Sequence, residues 1–388
     1  MTTTTRAAVL VEHEQPLAVE EIILQDPQGP EILVEYFASG ICHSQLHHIN
    51  SPTARTPSLL GHEGTAVVVK VGSDVTHVKE GDHCIVTWVP RNIDIDSPAL
   101  PPTSFEFRGE KRPAGVNTWS EHALINEQLV VPLTKDVATA ATAIVGCATV
   151  TGVGAVMGSA GVQKGQSVAV IGVGGVGINV IAGAKIAGAN PIIAVDLTDE
   201  KLDFAKEFGA THTINASETD AVAAIHEITG GGAEFAFDAI GGPVTTPQTL
   251  AAVRSGRTGA SRGGSAVIVG IPRAPVVLPP EAFPGGEKHL IGSVGGSSHP
   301  ATDYPQYIDW FQRGELPLDK MITTVYQGLD KINEGVRALE NGEIRGRSIM
   351  VLSLIHISEP TRPERIGVAG VGVEKKRGGG GGGGGGGG

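Results

Sequence analysis

Cysteine is scarce in this chain: three residues, Cys42, Cys84 and Cys147, in 388. That excludes a disulfide framework and any four-cysteine metal site, and it fits a reducing compartment. Positive charge is also in short supply. Lys and Arg total 29 against 41 Asp and Glu, a formal net charge of -12, and no basic stripe stands out. Nucleic acid and anionic membranes are therefore not the expected partners. No stretch reaches the ~20 apolar residues of a spanning helix, and residues 1–10 have no secretory pattern. The expectation is a soluble, cytoplasmic protein. What the chain does have is bulk. With 40% hydrophobic residues over this length, it can bury a large core, and two domains are expected.

Residues 1–150 are rich in short β runs, at 6–11, 18–24, 31–40, 65–71, 83–89 and 120–125. Turns at Asp26-Pro27, Gly72-Ser73 and Gly81-Asp82 punctuate them. Such a pattern suggests a largely antiparallel barrel or sandwich. Residues 91–117 hold four prolines and little periodicity, and read as an ordered loop or lobe. From about Thr151 the pattern becomes strand–helix alternation: strand 167–172, helix 176–188, strand 191–196, helix 200–208, then strands 235–238 and 266–270. That alternation argues for a doubly wound parallel sheet over 151–289. Residues 290–351, which include segments 304–313 and 329–340 and a strand at 349–352, complete the sheet and return to the first domain.

Gly172-x-Gly174-x-x-Gly177 follows an expected strand and opens an expected helix. Glycines there let the backbone, including Gly175 and Val176, approach a pyrophosphate at a helix N-terminus. Asp196 closes the next strand at the spacing of ~20 residues found in dinucleotide folds. Its carboxylate would accept hydrogen bonds from the adenosine ribose and repel a 2′-phosphate, which favours NAD over NADP. A tight strand–helix turn without ligand, and a helix-capping role for Asp196, are the plainer readings.

Cys42, His62 and Cys147 are soft thiolate and imidazole ligands of the kind that suit zinc, and three protein ligands leave a fourth position open for chemistry. Taken singly, each has an ordinary reading, because cysteine is often a small buried hydrophobe and a lone histidine is more often structural. Their surroundings decide the matter. Gly40-Ile41-Cys42-His43-Ser44, Gly61-His62-Glu63-Gly64, Gly81-Asp82-His83 and the Gly172 turn occur in this order. Together they resemble the zinc-containing medium-chain alcohol dehydrogenase family, over roughly residues 6–352. The resemblance implies a GroES-like barrel joined to a Rossmann domain, with one catalytic zinc on Cys42, His62 and Cys147 and Glu63 as alternate ligand. It implies that Ser44 takes the alcohol proton and that His47 is the outer base of a relay through the nicotinamide ribose. Thr151 matches a residue near the nicotinamide, Lys201 a second adenosine-ribose contact, and Arg347 a pyrophosphate contact. Trp88 and Trp119 match positions lining the substrate pocket, or else are core aromatics. His43 matches a cofactor-phosphate contact, or else has a surface or core role.

The chain departs from the family in three places. The 91–117 lobe has no cysteine for a structural zinc. Gln45 stands where the family usually has an aspartate, and a neutral amide raises histidine basicity less than a carboxylate does. Residues 352–362, L-S-L-I-H-I-S-E-P-T-R, resemble one translated frame of a sequencing-library adapter, and residues 378–388 are all glycine. The tail 352–388 therefore reads as artefactual and disordered. The function implied is hydride transfer between a primary or secondary alcohol and NAD, giving an aldehyde or ketone, in a homodimer or homotetramer. A narrow apolar pocket would suit a primary alcohol of modest size better than a polyol. The alternatives are a zinc-free quinone or enoyl reductase of the same superfamily and an inactive dinucleotide-binding protein.

Overall fold

The strand Glu31–Gly40 organises the amino-terminal half. Its residues alternate between two interiors, as period-2 geometry requires. Ile32, Val34 and Tyr36 join one apolar cluster with Ala66, Val68 and Val86. Leu33 turns to another, with Val9, Ile22, Phe105 and Phe107. Burial on both faces explains why the segment is apolar almost without interruption. The computed structural model describes residues 2–353 except 93, 95 and 273. Within it, Glu31–Gly40 pairs antiparallel with Glu63–Val71, His122–Asn126 and Arg347–Val351, at the centre of a seven-stranded sheet. A second, five-stranded sheet contains Thr2–Leu10 and Ala18–Gln25 in one long antiparallel pair.

Two segments differ from the sequence reading. Residues 91–117 are not all loop: Thr103–Phe107 and Glu110–Ala114 form a hairpin, docked beside Ala18–Gln25. Phe105 and Phe107 are buried, and the turn at Arg108 and Gly109 has positive φ at both residues, as tight hairpins favour. The prolines drew attention away from the alternation of Ser104, Phe105, Glu106 and Phe107. Pro113 is tolerated because its strand is last in the order of the sheet. The second difference is Ile322–Gln327, a strand parallel to Arg347–Val351 that carries the chain back into the amino-terminal sheet.

The third sheet is all parallel. By position in the chain, its strands run third, second, first, fourth, fifth, sixth: His212–Asn215, Ile192–Asp196, Val168–Ile171, Phe235–Asp238, Ser265–Ile268 and His289–Gly292. This is the doubly wound order, and its switch point lies beside Val168–Ile171. Helices Gly175–Ile186, Asp199–Phe208, Ala221–Thr229 and Thr245–Ala252 connect successive strands. The third and sixth strands are four residues each, too short to read from sequence. No single described helix is long and apolar enough to cross a membrane; the bent pair Ala140–Gly146 and Ala148–Ala160 passes by length and composition only. Val145, Val150 and Val153 of that pair are fully buried in the protein core. The tail reading concerns residues that lie, from 354 onward, outside those described.

Candidate active site

Three chain segments from different parts of the fold converge. Cys42 follows the central strand Glu31–Gly40 and precedes helix Ser44–Ile49. His62 lies just ahead of strand Glu63–Val71, after a glycine whose φ is +90°. A Cβ on Gly61 would come within 2.5 Å of Thr118 Oγ1 and 2.7 Å of the Trp119 backbone nitrogen, so only glycine makes that turn. Cys147 sits between the 3₁₀ turn Ala140–Gly146 and helix Ala148–Gly154. One ligand atom from each of the three lies within 4.8 Å of the others, and all three residues are buried.

The sulfur–sulfur spacing fits a tetrahedral ion. Two sulfurs each ~2.3 Å from zinc are about 3.8 Å apart in a tetrahedron, and Cys42 Sγ and Cys147 Sγ are 3.8 Å apart. His62 Nε2 is 3.2 Å from Cys147 Sγ. The Cys147 thiol, donating to Cys42, holds the Cys42 thiol well below the ordinary cysteine range. Burial opposes this, and the Arg347 charge and His62 assist it. Cys147 moves the other way, raised by its bond to Cys42, by burial and by the Cys42 charge, while side-chain hydrogen bonds from Trp88 and Thr151 draw it down. Of the two thiols Cys42 is therefore the more acidic, and both are soft ligands for a soft-tolerant metal. The Ser44 hydroxyl donates to Cys42 Sγ at 3.3 Å. His47 lies three residues on in the same short helix, on the same face as Ser44. The rings of His43 and His47 meet edge to face at 6.5 Å.

The glycine turn lies at the carboxyl end of Val168–Ile171, the first strand of the parallel sheet. Gly172 has φ +88°, and a Cβ on Gly177 would sit 1.9 Å from the Gly172 carbonyl oxygen. The turn closes on itself only with glycine at both places. The Val173 amide donates to Asp196 Oδ2 at 2.9 Å and the Leu197 amide to Oδ1 at 2.8 Å. The main chain therefore fixes the Asp196 carboxylate against the turn. Lys201 is half-buried on the helix that follows.

Comparison with known proteins agrees with this geometry. Residues 28–135 match the model of the alcohol dehydrogenase GroES-like domain, and residues 175–313 that of the zinc-binding dehydrogenase. The chain is 33% identical to alcohol dehydrogenase class-3 of Cereibacter sphaeroides, across 87% of this chain and 97% of that protein. It belongs to the zinc-containing medium-chain alcohol dehydrogenase family. A crystal structure of an alcohol dehydrogenase zinc-binding domain protein from Burkholderia ambifaria superposes with a TM-score of 0.83 at 30% identity, covering 91% of this chain and all of that one. Benzyl alcohol dehydrogenase from Acinetobacter calcoaceticus gives 0.79 at 28%, covering 90% and 100%. The chain is a zinc-dependent oxidoreductase of alcohols and aldehydes, and NAD is the cofactor typical of the family.

Within this alcohol dehydrogenase the remaining candidate residues divide. Trp88 is half-buried, near enough to Cys147 to draw its pKa down and close to the glycine pair that includes Gly295. Trp119 is instead a core residue. It is 1% exposed, it packs with Leu10, Ile41 and Leu60, and its indole N–H donates to the Gly40 carbonyl at 3.0 Å. Its faces are taken, so it does not line a pocket wall. Glu63 is adjacent in sequence to His62, but its carboxylate is not among the converging donor atoms and is engaged by other partners. Arg347 donates to one oxygen and the Ala148 amide to the other, at 3.3 Å. Arg347 also packs against the glycine turn, where a Cβ on Gly175 would meet its Cδ at 2.2 Å. Sequence reading assigned these two residues to separate tasks and missed that they pair, because 284 positions separate them. It also missed four exposed apolar side chains, Leu197, Ile240, Ile271 and Val294. Each lies just past the carboxyl end of a parallel strand. That placement on the crevice side is itself a sequence signal. A cavity of about 310 Å³ beside Ser167, Glu234 and Arg254 opens at the opposite ends of the strands.

Proposed function

We propose that this enzyme interconverts primary alcohols of modest size, apolar or aromatic, with their aldehydes, using NAD. The observation that carries the reading is the close approach of Cys42, His62 and Cys147, with Ser44 bonded to the first. When bound, zinc supplies Lewis acidity to the substrate oxygen, and NAD accepts the hydride. Ser44 takes the alcohol proton at Oγ. His47, one helical turn along, is the base that hands it on toward solvent, in the range where imidazole titrates. Trp88 gives the pocket a flat apolar wall, and the benzyl alcohol dehydrogenase relative supports an aromatic substrate. Glu63 is the alternate metal ligand, restrained by Arg347. Thr151, Val176 and Lys201 contact the cofactor, and Asp196 selects NAD through its ribose.

Residues 1–150 form the catalytic domain, 151–289 the dinucleotide domain and 290–351 the return. The pairing of Ile322–Gln327 and Arg347–Val351 into the amino-terminal sheet supports the return. The chain assembles as a homodimer or homotetramer, a reading supported by Leu290, exposed on the edge strand of the parallel sheet. Three free cysteines support a cytoplasmic location. The test is turnover of a panel of alcohols, aldehydes and polyols with NAD and NADP in parallel. Benzylic and short primary alcohols with NAD should lead; a preference for polyols or for NADP would overturn the assignment.

A further inference from the structure

The buried amide of Gln45 bridges two groups that make opposite demands on it. The Gly61 main-chain N–H donates to Gln45 Oε1 at 2.8 Å. A backbone N–H can only donate, and Gly61 is locked by its φ of +90° and by Thr118 and Trp119. That fixes which end of the amide is oxygen. The other end, Nε2, is in hydrogen-bond contact with His62 Nδ1, and an amide nitrogen can only donate. His62 Nδ1 must then accept, so the single proton of the neutral ring sits on Nε2. Nε2 faces Cys147 Sγ at 3.2 Å. That distance suits an N–H donating to sulfur. A metal needs the Nε2 lone pair, which this arrangement covers with a proton.

We propose that Gln45 is a positioning residue that holds His62 in the tautomer unable to bind zinc, and so sets how tightly the site takes its metal. The proposal rests on the reading that Cys42, His62 and Cys147 hold zinc. To ligate, the ring must carry its proton on Nδ1. There it meets the amide N–H₂, donor against donor. The amide must turn over and abandon Gly61, or shift until its one oxygen serves both donors. A carboxylate at this position meets no such conflict, because two oxygens can accept from Gly61 and from His62 at once. The amide thus makes zinc easier to remove than a carboxylate would, and leaves the imidazole a weaker electron donor to the metal.

The test compares wild type with Gln45→Glu. Zinc dissociation constants come from competition with a chromophoric chelator, and the His62 tautomer from ¹⁵N NMR of the zinc-stripped protein. Gln45→Glu should bind zinc about 10–100-fold more tightly, the usual span of effects for groups that orient a metal's ligands. Zinc-stripped wild type should show His62 protonated on Nε2, and Gln45→Glu on Nδ1. Equal or weaker zinc binding by Gln45→Glu overturns the proposal. So does an Nδ1–H tautomer in zinc-stripped wild type, a measurement that stands even if the variant fails to fold. Loss of the underlying site reading looks different: His62→Ala would retain zinc as well as wild type.

Discussion

Breaking the Glu63–Arg347 pair should destabilise the fold far more than removing it whole. Both side chains are buried, 0% exposed for Glu63 and 6% for Arg347. At an effective dielectric of ~20 and an ordinary ion-pair separation of ~3 Å, such a pair has a gross attraction of about 5–6 kcal/mol. Arg347→Met removes the cation and leaves the Glu63 carboxylate with the Ala148 amide at 3.3 Å as its donor. An uncompensated buried charge of this kind costs about 3–5 kcal/mol. Glu63→Gln strands the guanidinium instead, whose Nε already has no hydrogen-bond partner, and a cost of similar size is expected. The double variant removes both charges. Because desolvation offsets most of a buried pair's attraction, it should recover at least ~2 kcal/mol relative to the sum of the single variants. The assay is urea unfolding of the four proteins at fixed zinc and without dinucleotide, since bound ligand would shift apparent stability. Single-variant losses that add to within ~0.5 kcal/mol in the double variant would refute the coupling. The pair also touches Gly175, so Arg347→Met should weaken NAD binding in the same series, read by quenching of protein fluorescence.

Asp196→Ala should raise the KM for NAD and relax discrimination against NADP, because charge-assisted bonds to the ribose and repulsion of a 2′-phosphate vanish together. Unchanged cofactor preference would remove Asp196 from that role. His47→Gln should slow alcohol oxidation most near neutral pH, with the defect shrinking as rising pH lets solvent base substitute; superimposable pH–rate profiles would exclude His47. Ser44→Ala should be more severe at every pH, since it removes the hydroxyl bonded to Cys42 that takes the alcohol proton directly. Burial depresses the His122 pKa, only partly offset by Glu35 and Glu121. The unfolded chain therefore binds more protons below its ordinary pKa of about 6.5. Stability should be complete above that pH and fall as pH drops through the depressed value, and His122→Asn should flatten this acid limb of the unfolding midpoint against pH. An unchanged limb would show that other groups set it.

The local features were readable in the chain because their chemistry is local. Gly172, Gly174 and Gly177 are set by a turn only six residues long, and the Asp196 carboxylate is held by the main chain of that same turn. Ser44 and His47 share one turn of helix. Strands such as Glu31–Gly40 announce themselves because both faces are buried. The family resemblance named the zinc ligands by order and type, but residues 42, 62 and 147 carry no spacing that proves contact. Only the packing of three separate segments brings their donor atoms within 4.8 Å. The same holds wherever burial or long-range pairing decides. Trp88 and Trp119 look alike in sequence, yet one reaches Cys147 and the other is enclosed by the core. Glu63 and Arg347 are ordinary surface residue types until the return strand Arg347–Val351 joins Glu31–Gly40 and drives their charges together. Gln45 reads as a mild substitution until Gly61 fixes the direction of its amide. Sequence determined the elements, the glycine turn and the ligand types. Tertiary structure alone decided which charges are paired, which aromatic faces are free and which groups the Gln45 amide bridges, because each depends on a neighbour supplied by a distant segment.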